Sequence, residues 1–134
     1  MLSDKAILPT KTHDTDACYD LYSVKQIRLA ANGFDAVQTG IAFNIPKGYF
    51  GKIYERSGVS LQRPITVKAG VIDAGYTGEV KVIVHNHGDY PEMIDAGTKL
   101  AQIAFHAVPD IELVKVDEFK ITARGDKGFG SSDQ

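Results

Sequence analysis

The chain has 134 residues, 43% hydrophobic and 24% charged, with a formal net charge of −2. That suits one globular domain with its own core and leaves little room for a second. It supplies no overall basic field to gather nucleic acid, and its apolar runs, such as Leu100 to Phe105, are too short to span a bilayer.

Segments with a period of two recur along the chain and predict strands over Ala17 to Val24, Gln38 to Pro46, Tyr49 to Tyr54, Glu79 to Asn86, Leu100 to Phe105 and Glu112 to Phe119. Turn residues separate them at Ala31-Asn32-Gly33, Pro46-Lys47-Gly48, His87-Gly88-Asp89 and Asp95-Ala96-Gly97. Many short strands at this spacing predict an all-β fold, a single-domain jelly-roll-like β-barrel. One short helical turn is expected at Ser57 to Gln62, with Ser57 as N-cap and Pro64 ending it. The core is expected over about residues 1–122. Residues 123–134, with Arg124-Gly125-Asp126-Lys127-Gly128-Phe129-Gly130-Ser131-Ser132, hold too few apolar groups to fasten to it and read as a mobile C-terminal segment. The opening Met1-Leu2-Ser3-Asp4-Lys5 lacks the charged-then-apolar order of a signal peptide, and the single Cys18, with no basic neighbour, reads as a buried, inert thiol.

Five segments carry residues that a β-scaffold alone does not require. They are Ala17-Cys18-Tyr19-Asp20-Leu21-Tyr22-Ser23, Arg56-Ser57-Gly58, Gly70 to Glu79, Gly97-Thr98-Lys99-Leu100-Ala101-Gln102-Ile103, and the C-terminal segment. Arg56 offers a fork of donors to a phosphate, and Ser57 and Gly58 offer backbone N–H groups beside it. Arg124 and Lys127 bracket glycines that allow backbone to approach an anion. Taken singly, each is better read as a surface ion pair or a frayed end. Gly70-Val71-Ile72-Asp73-Ala74-Gly75-Tyr76 is a turn-rich bend that presents Asp73 and Tyr76 on one side. Asp73 reads as an Asx-turn former or as a carboxylate that deprotonates water. Tyr76 reads as a half-buried aromatic or as a platform for a sugar.

In order and spacing, the five segments resemble the five motifs of the trimeric deoxyuridine triphosphate pyrophosphatase (dUTPase) family, over residues 17 to 132. The resemblance implies hydrolysis of dUTP to dUMP and pyrophosphate, which limits uracil in DNA and supplies dUMP for dTMP synthesis. It implies Asp73 as the base for water attacking the α-phosphorus and Tyr76 beneath the deoxyribose, rejecting UTP. A hairpin from Val67 through Gly70, Val71 and Ile72 to Tyr76 is expected to pair with uracil through main-chain groups, and Lys81 to contact substrate. Arg56, Ser57, Gly58 and Gln102 are expected on the phosphates. The C-terminal segment is expected to close as a lid, with Arg124 on the γ-phosphate, Phe129 stacked on uracil, and Gly130 and Ser131 beside it. The resemblance also implies a homotrimer with shared sites, and magnesium (Mg2+) held mainly by the triphosphate with Asp20 as a water-mediated partner. It implies an intracellular setting, cytoplasmic or nuclear, in a cell, virus or phage, without direct nucleic-acid or membrane binding.

The chain departs from the family pattern at Cys18 and Glu55, where glycine and proline are usual, at Gly75 and Thr77, which replace charged residues, and at Asp133. Glu55 is placed by sequence to pair with Arg56 and weaken it. A related deaminase needs a glutamate where Ile83 stands, which cannot move a proton, and a nucleotide-sensing protein would not need Asp73. Arg124-Gly125-Asp126 spells a short recognition tripeptide that recurs by chance. His85 and His87 share a strand face without further metal ligands in sequence, and read as core-edge histidines.

Overall fold

The computed structural model describes residues 1–118 and 120–126. Its elements in chain order are β1 (Tyr19–Tyr22), β2 (Ile27–Leu29), β3 (Phe34–Gln38), β4 (Tyr49–Glu55), α1 (Ser57–Gln62), β5 (Ile65–Lys68), β6 (Val71–Ile72), β7 (Lys81–Asn86), β8 (Glu92–Ile94) and β9 (Lys99–Ala107). The all-β class holds. The expected barrel closure does not: the strands form three open sheets, ordered β1-β9-β4-β6, β2-β8 and β3-β7-β5.

Period-two alternation explains the packing. On β7, Val82, Val84 and Asn86 turn inward and are essentially inaccessible, while Lys81 and Ile83 face out. The core joins Leu21, Leu29, Val37, Ile53, Val80, Leu100 and Ile103 with Val82, Val84 and Ile94. Burying such side chains contributes roughly 1.5–3 kcal/mol each before the entropy of ordering is counted. The central strand of the largest sheet is β9, paired with β1 on one side and β4 on the other.

Three sequence expectations are corrected here. The predicted strand over Gln38 to Pro46 is absent, because β3 already ends at Gln38. Gly40 takes a positive φ of 66°, and the Thr39 hydroxyl bonds the Val80 carbonyl at 2.5 Å, so the chain leaves the ladder. The strand expected over Glu112 to Phe119 is also absent over the described residues to 118, which have no pairing partner among the described residues. Finally, α1 spans Ser57–Gln62 as expected, but its N-cap is Arg56 and not Ser57, with no side-chain capping bond.

Asn86 ties the end of β7 to two loops. Its amide donates to the Ala30 carbonyl at 3.0 Å and the Tyr90 carbonyl at 2.8 Å, and accepts from the Gly88 N–H at 2.9 Å. Asn86→Ala strands three polar groups and is expected to lower unfolding free energy by about 3 kcal/mol. Urea denaturation checks this; a loss below about 1 kcal/mol would show that those groups find other partners.

Candidate active site

The β1-β9-β4 sheet gathers three segments that lie far apart in sequence. Asp20 on β1 stands opposite Gln102 on β9, and Gln102 stands opposite Tyr54 on β4. The chain leaving β4 at Glu55 then places Arg56, Ser57 and Gly58 beside that row. Asp20, Gln102, Arg56, Ser57 and Gly58, together with Thr12, Asp16, Ala17 and Cys18, line a polar cleft of about 340 Å³.

Arg56 is held firmly in this cleft. Its Nε lies 2.8 Å from Asp20 Oδ1, and its Nη1 donates to the Lys99 carbonyl at 3.2 Å. Five N–H donors on the guanidinium leave several for an anion. Gln102 is oriented through Nε2, which donates to the Glu55 carbonyl at 2.8 Å. The expected Glu55–Arg56 pair does not form: Glu55 Oε1 accepts from the Val67 N–H at 3.1 Å instead. Asp16, missed in the sequence, has its carboxyl held below the ordinary range by the His13 N–H and, less strongly, by the Thr12 N–H and nearby His13 and Lys11 charges. Cys18 is only half-buried rather than buried, and desolvation raises its thiol pKa, which agrees with an unreactive sulfur.

Asp20, expected as a water-mediated magnesium partner, holds two cationic side chains in this chain. It is 7% exposed, and its second oxygen lies 2.8 Å from Lys99 Nζ, so both oxygens already face cations. Among the described residues no three His, Cys, Asp or Glu side chains gather as a metal cage. The carboxylates of Asp16 and Asp20 line the cleft, oxygen donors of the kind that suits magnesium carried with part of its water shell on phosphate oxygens.

A second cleft, about 320 Å³, is lined by Val71, Ile72, Asp73, Tyr76, Glu79, Lys81 and Ile83, with Ala36 and Val80. Asp73 and Tyr76 do come together on one side of a turn, closed by the Tyr76 N–H bonding the Asp73 carbonyl at 3.0 Å. Among the described residues no hydrogen bond to the Asp73 carboxylate supports that turn, so it is not an Asx-turn. Tyr76 is 45% exposed, and its hydroxyl donates to the Glu79 carbonyl at 2.8 Å. Gly78 lies under the ring, where an added Cβ would stand 2.7 Å from Tyr76 Oη. Glu79 itself is committed to the fold, accepting from the Gly40 N–H at 2.9 Å and, more weakly, the Gln38 amide at 3.4 Å.

The expected hairpin from Val67 to Tyr76 is corrected. Its strands lie in different sheets, β5 pairing with β7 and β6 with β4. The switch occurs at Ala69 and Gly70, with φ of 57° and 90°, and the Gly70 carbonyl accepts from Ile53 N–H at 2.8 Å. A Cβ on Gly70 would lie 3.1 Å from Ile53, so this glycine is required by close approach to β4. Val67 packs against the core, and neither residue lines the second cleft. Arg124 is exposed and lines neither cleft, while Phe129, Gly130 and Ser131 lie outside the described residues.

His85 and His87 sit on β7 and just beyond it, with ring centroids 4.0 Å apart. His87 Nε2 meets the Thr66 hydroxyl at 2.8 Å, and desolvation, His85 and Lys68 lower its pKa. They are core-edge residues, half-buried and exposed respectively.

The family model for dUTPase matches residues 4–133. The chain belongs to the dUTPase family. It is 41% identical over 131 residues to the deoxyuridine 5'-triphosphate nucleotidohydrolase of Saccharomyces cerevisiae, covering 97% of this chain and 89% of that relative. Its fold superposes with a TM-score of 0.89 on the dUTPase of Staphylococcus bacteriophage 80alpha solved with dUPNHPP, at 30% identity, covering 98% of this chain and 94% of that one. A mutant dUTPase from phage phi11 of S. aureus, described as coordinating a structural Mg(II) ion, matches with a TM-score of 0.84 at 29% identity, covering 90% of this chain and 95% of that one. Ile83 within the second cleft offers no glutamate for a deaminase. No helix among the described residues is long and apolar enough to cross a membrane.

Proposed function

We propose that this dUTPase-family chain hydrolyses dUTP to dUMP and pyrophosphate at a site divided between its two clefts, each completed by the opposite cleft of a neighbouring copy in a homotrimer. The observation that carries this reading is the division itself. The candidate base, Asp73, and the candidate sugar platform, Tyr76, line one cleft, the phosphate-binding candidates line the other, and the two share no residue. A second observation supports association: Ile111, Leu113, Val114 and Val116 are all at least half exposed on a stretch without a sheet partner among the described residues.

In this reading the Asp73 carboxylate takes a proton from water as the water oxygen bonds the α-phosphorus. The bond from that phosphorus to the bridging oxygen breaks, and the pair of electrons leaves with pyrophosphate. Arg56, Gln102 and the backbone N–H groups of Ser57 and Gly58 hold the departing phosphates, and their charge stabilises the charge that develops there. Magnesium is the cofactor; bound to the triphosphate it neutralises phosphate charge. Tyr76 packs beneath the deoxyribose, Val71 and Ile72 present main chain to uracil, and Lys81 adds a cation at the rim. Arg124, Phe129, Gly130 and Ser131 close over the bound nucleotide. Consumption of a deoxynucleotide places the work inside the cell, in cytoplasm or nucleus.

The test is pyrophosphate release from dUTP, dCTP, dTTP and UTP in magnesium buffer. Turnover confined to dUTP is expected; equal turnover of dCTP, or tight dUTP binding without release, would overturn the reading. Gly78→Ala probes the platform separately. Its new methyl group displaces the Tyr76 ring, so discrimination against UTP is expected to fall about ten-fold in kcat/KM. Unchanged discrimination would remove Tyr76 from the account of sugar selection.

A further inference from the structure

Lys99 takes no part in the proposed reaction, yet it contacts residues of the phosphate cleft through two separate groups. Its ammonium lies 2.8 Å from Asp20 Oδ2, on the far side of the carboxylate that Arg56 grips, and its own carbonyl accepts from Arg56 Nη1 at 3.2 Å. The Tyr22 ring lies under the same ammonium, 5.9 Å to its centroid, and Tyr22 is the register partner of Lys99 across the sheet. Asp20 thus carries one negative charge between two positive ones. Without Lys99 the carboxylate and Arg56 form a neutral pair, and a neutral pair attracts a triphosphate poorly. With Lys99 present, the cluster keeps a net positive charge while Asp20 still orients the guanidinium.

We propose that Lys99 is a positioning and charge-balancing residue, which lets Asp20 hold Arg56 in place without cancelling the charge that Arg56 offers to substrate phosphates. The inference rests on the assignment of phosphates to this cleft. Lys99 acts through Asp20 and Arg56, so its removal weakens binding more than it slows chemistry.

The test uses Lys99→Met, Lys99→Gln and Lys99→Arg in the full chain, with Arg56→Lys as the reference. Binding of a non-hydrolysable imido analogue of dUTP is measured by calorimetry over a range of sodium chloride, alongside kcat and KM for dUTP. The Met and Gln variants are expected to bind about ten-fold more weakly, with a shallower salt dependence and a smaller change in kcat. The Arg variant is expected to stay within about three-fold of the original chain, since it keeps the charge. Full binding and an unchanged salt slope in both Met and Gln variants, with Arg56→Lys weakened, would overturn the inference. Recovery by Gln alone would overturn it too, by making the hydrogen bond rather than the charge decisive. If Arg56→Lys also binds normally, the phosphate assignment itself fails and Lys99 loses its role with it.

Discussion

Asp73→Asn is expected to cut kcat for dUTP by about 100-fold to 10000-fold while leaving binding of the nucleotide nearly intact. The substitution is close to isosteric, so the turn closed by the Tyr76 N–H and the Asp73 carbonyl survives. What changes is the capacity to take a proton. An amide oxygen cannot accept one from water near neutral pH, so the nucleophile stays weak and the barrier rises. Because Asp73 is exposed and its side chain does not support the turn, a change in melting temperature of only a degree or two is expected. Full turnover by the variant would remove Asp73 as the base.

The second large effect is expected at Arg56. Arg56→Lys keeps the charge but loses the planar fork, so one ammonium cannot reach Asp20, the Lys99 carbonyl and a phosphate together. A loss of about 100-fold to 1000-fold in kcat/KM is expected, since contacts to charge developing on the leaving group are worth that much. Unlike Asp73→Asn, this change also weakens binding, because the same contacts are already made in the ground state. Calorimetry with a non-hydrolysable analogue separates the two variants. Equal binding by both would show that the cleft around Arg56 does not hold the phosphates.

Much of this arrangement was legible in the amino-acid order, and the failures share one cause. Alternation identified β4 and β7 well, because each packs one face against the core, while the apolar run of β9 marked a strand buried on both faces over Leu100 to Ala104. It could not say what an extended segment pairs with. Residues after Gln38 kept the alternation but left the ladder at Gly40, and the residues from Glu112 kept it without a partner among the described residues. The 67–76 hairpin was misread for the same reason, since adjacency in sequence suggested pairing that the switch at Ala69 and Gly70 prevents.

Motif positions pointed to residues that line the two clefts, but the electrostatics there were not readable. Arg56 and Lys99 are 43 residues apart, and only the β1-β9-β4 register brings them to one carboxylate. The supposed Glu55–Arg56 pair shows the opposite error. Consecutive residues in extended backbone point to opposite sides, a signal that could have steered Glu55 away from Arg56 and toward Val67. Asp16 left no local signal of its place beside the cleft, because it arrives there through a loop held by its own carboxylate.

The central claim is that one active site takes its phosphate-binding residues from one copy of the chain and its base from another. Mixing Arg56→Lys chains with Asp73→Asn chains, unfolding them together and refolding them as mixed assemblies tests it directly. Each variant alone is nearly inactive, but random mixing in equal amounts gives about a quarter of sites both an intact Arg56 and an intact Asp73 from different copies. Recovery to about that fraction of the original dUTP turnover is the expected result. No recovery above the sum of the two variants would place both groups in the same chain's site and contradict the account.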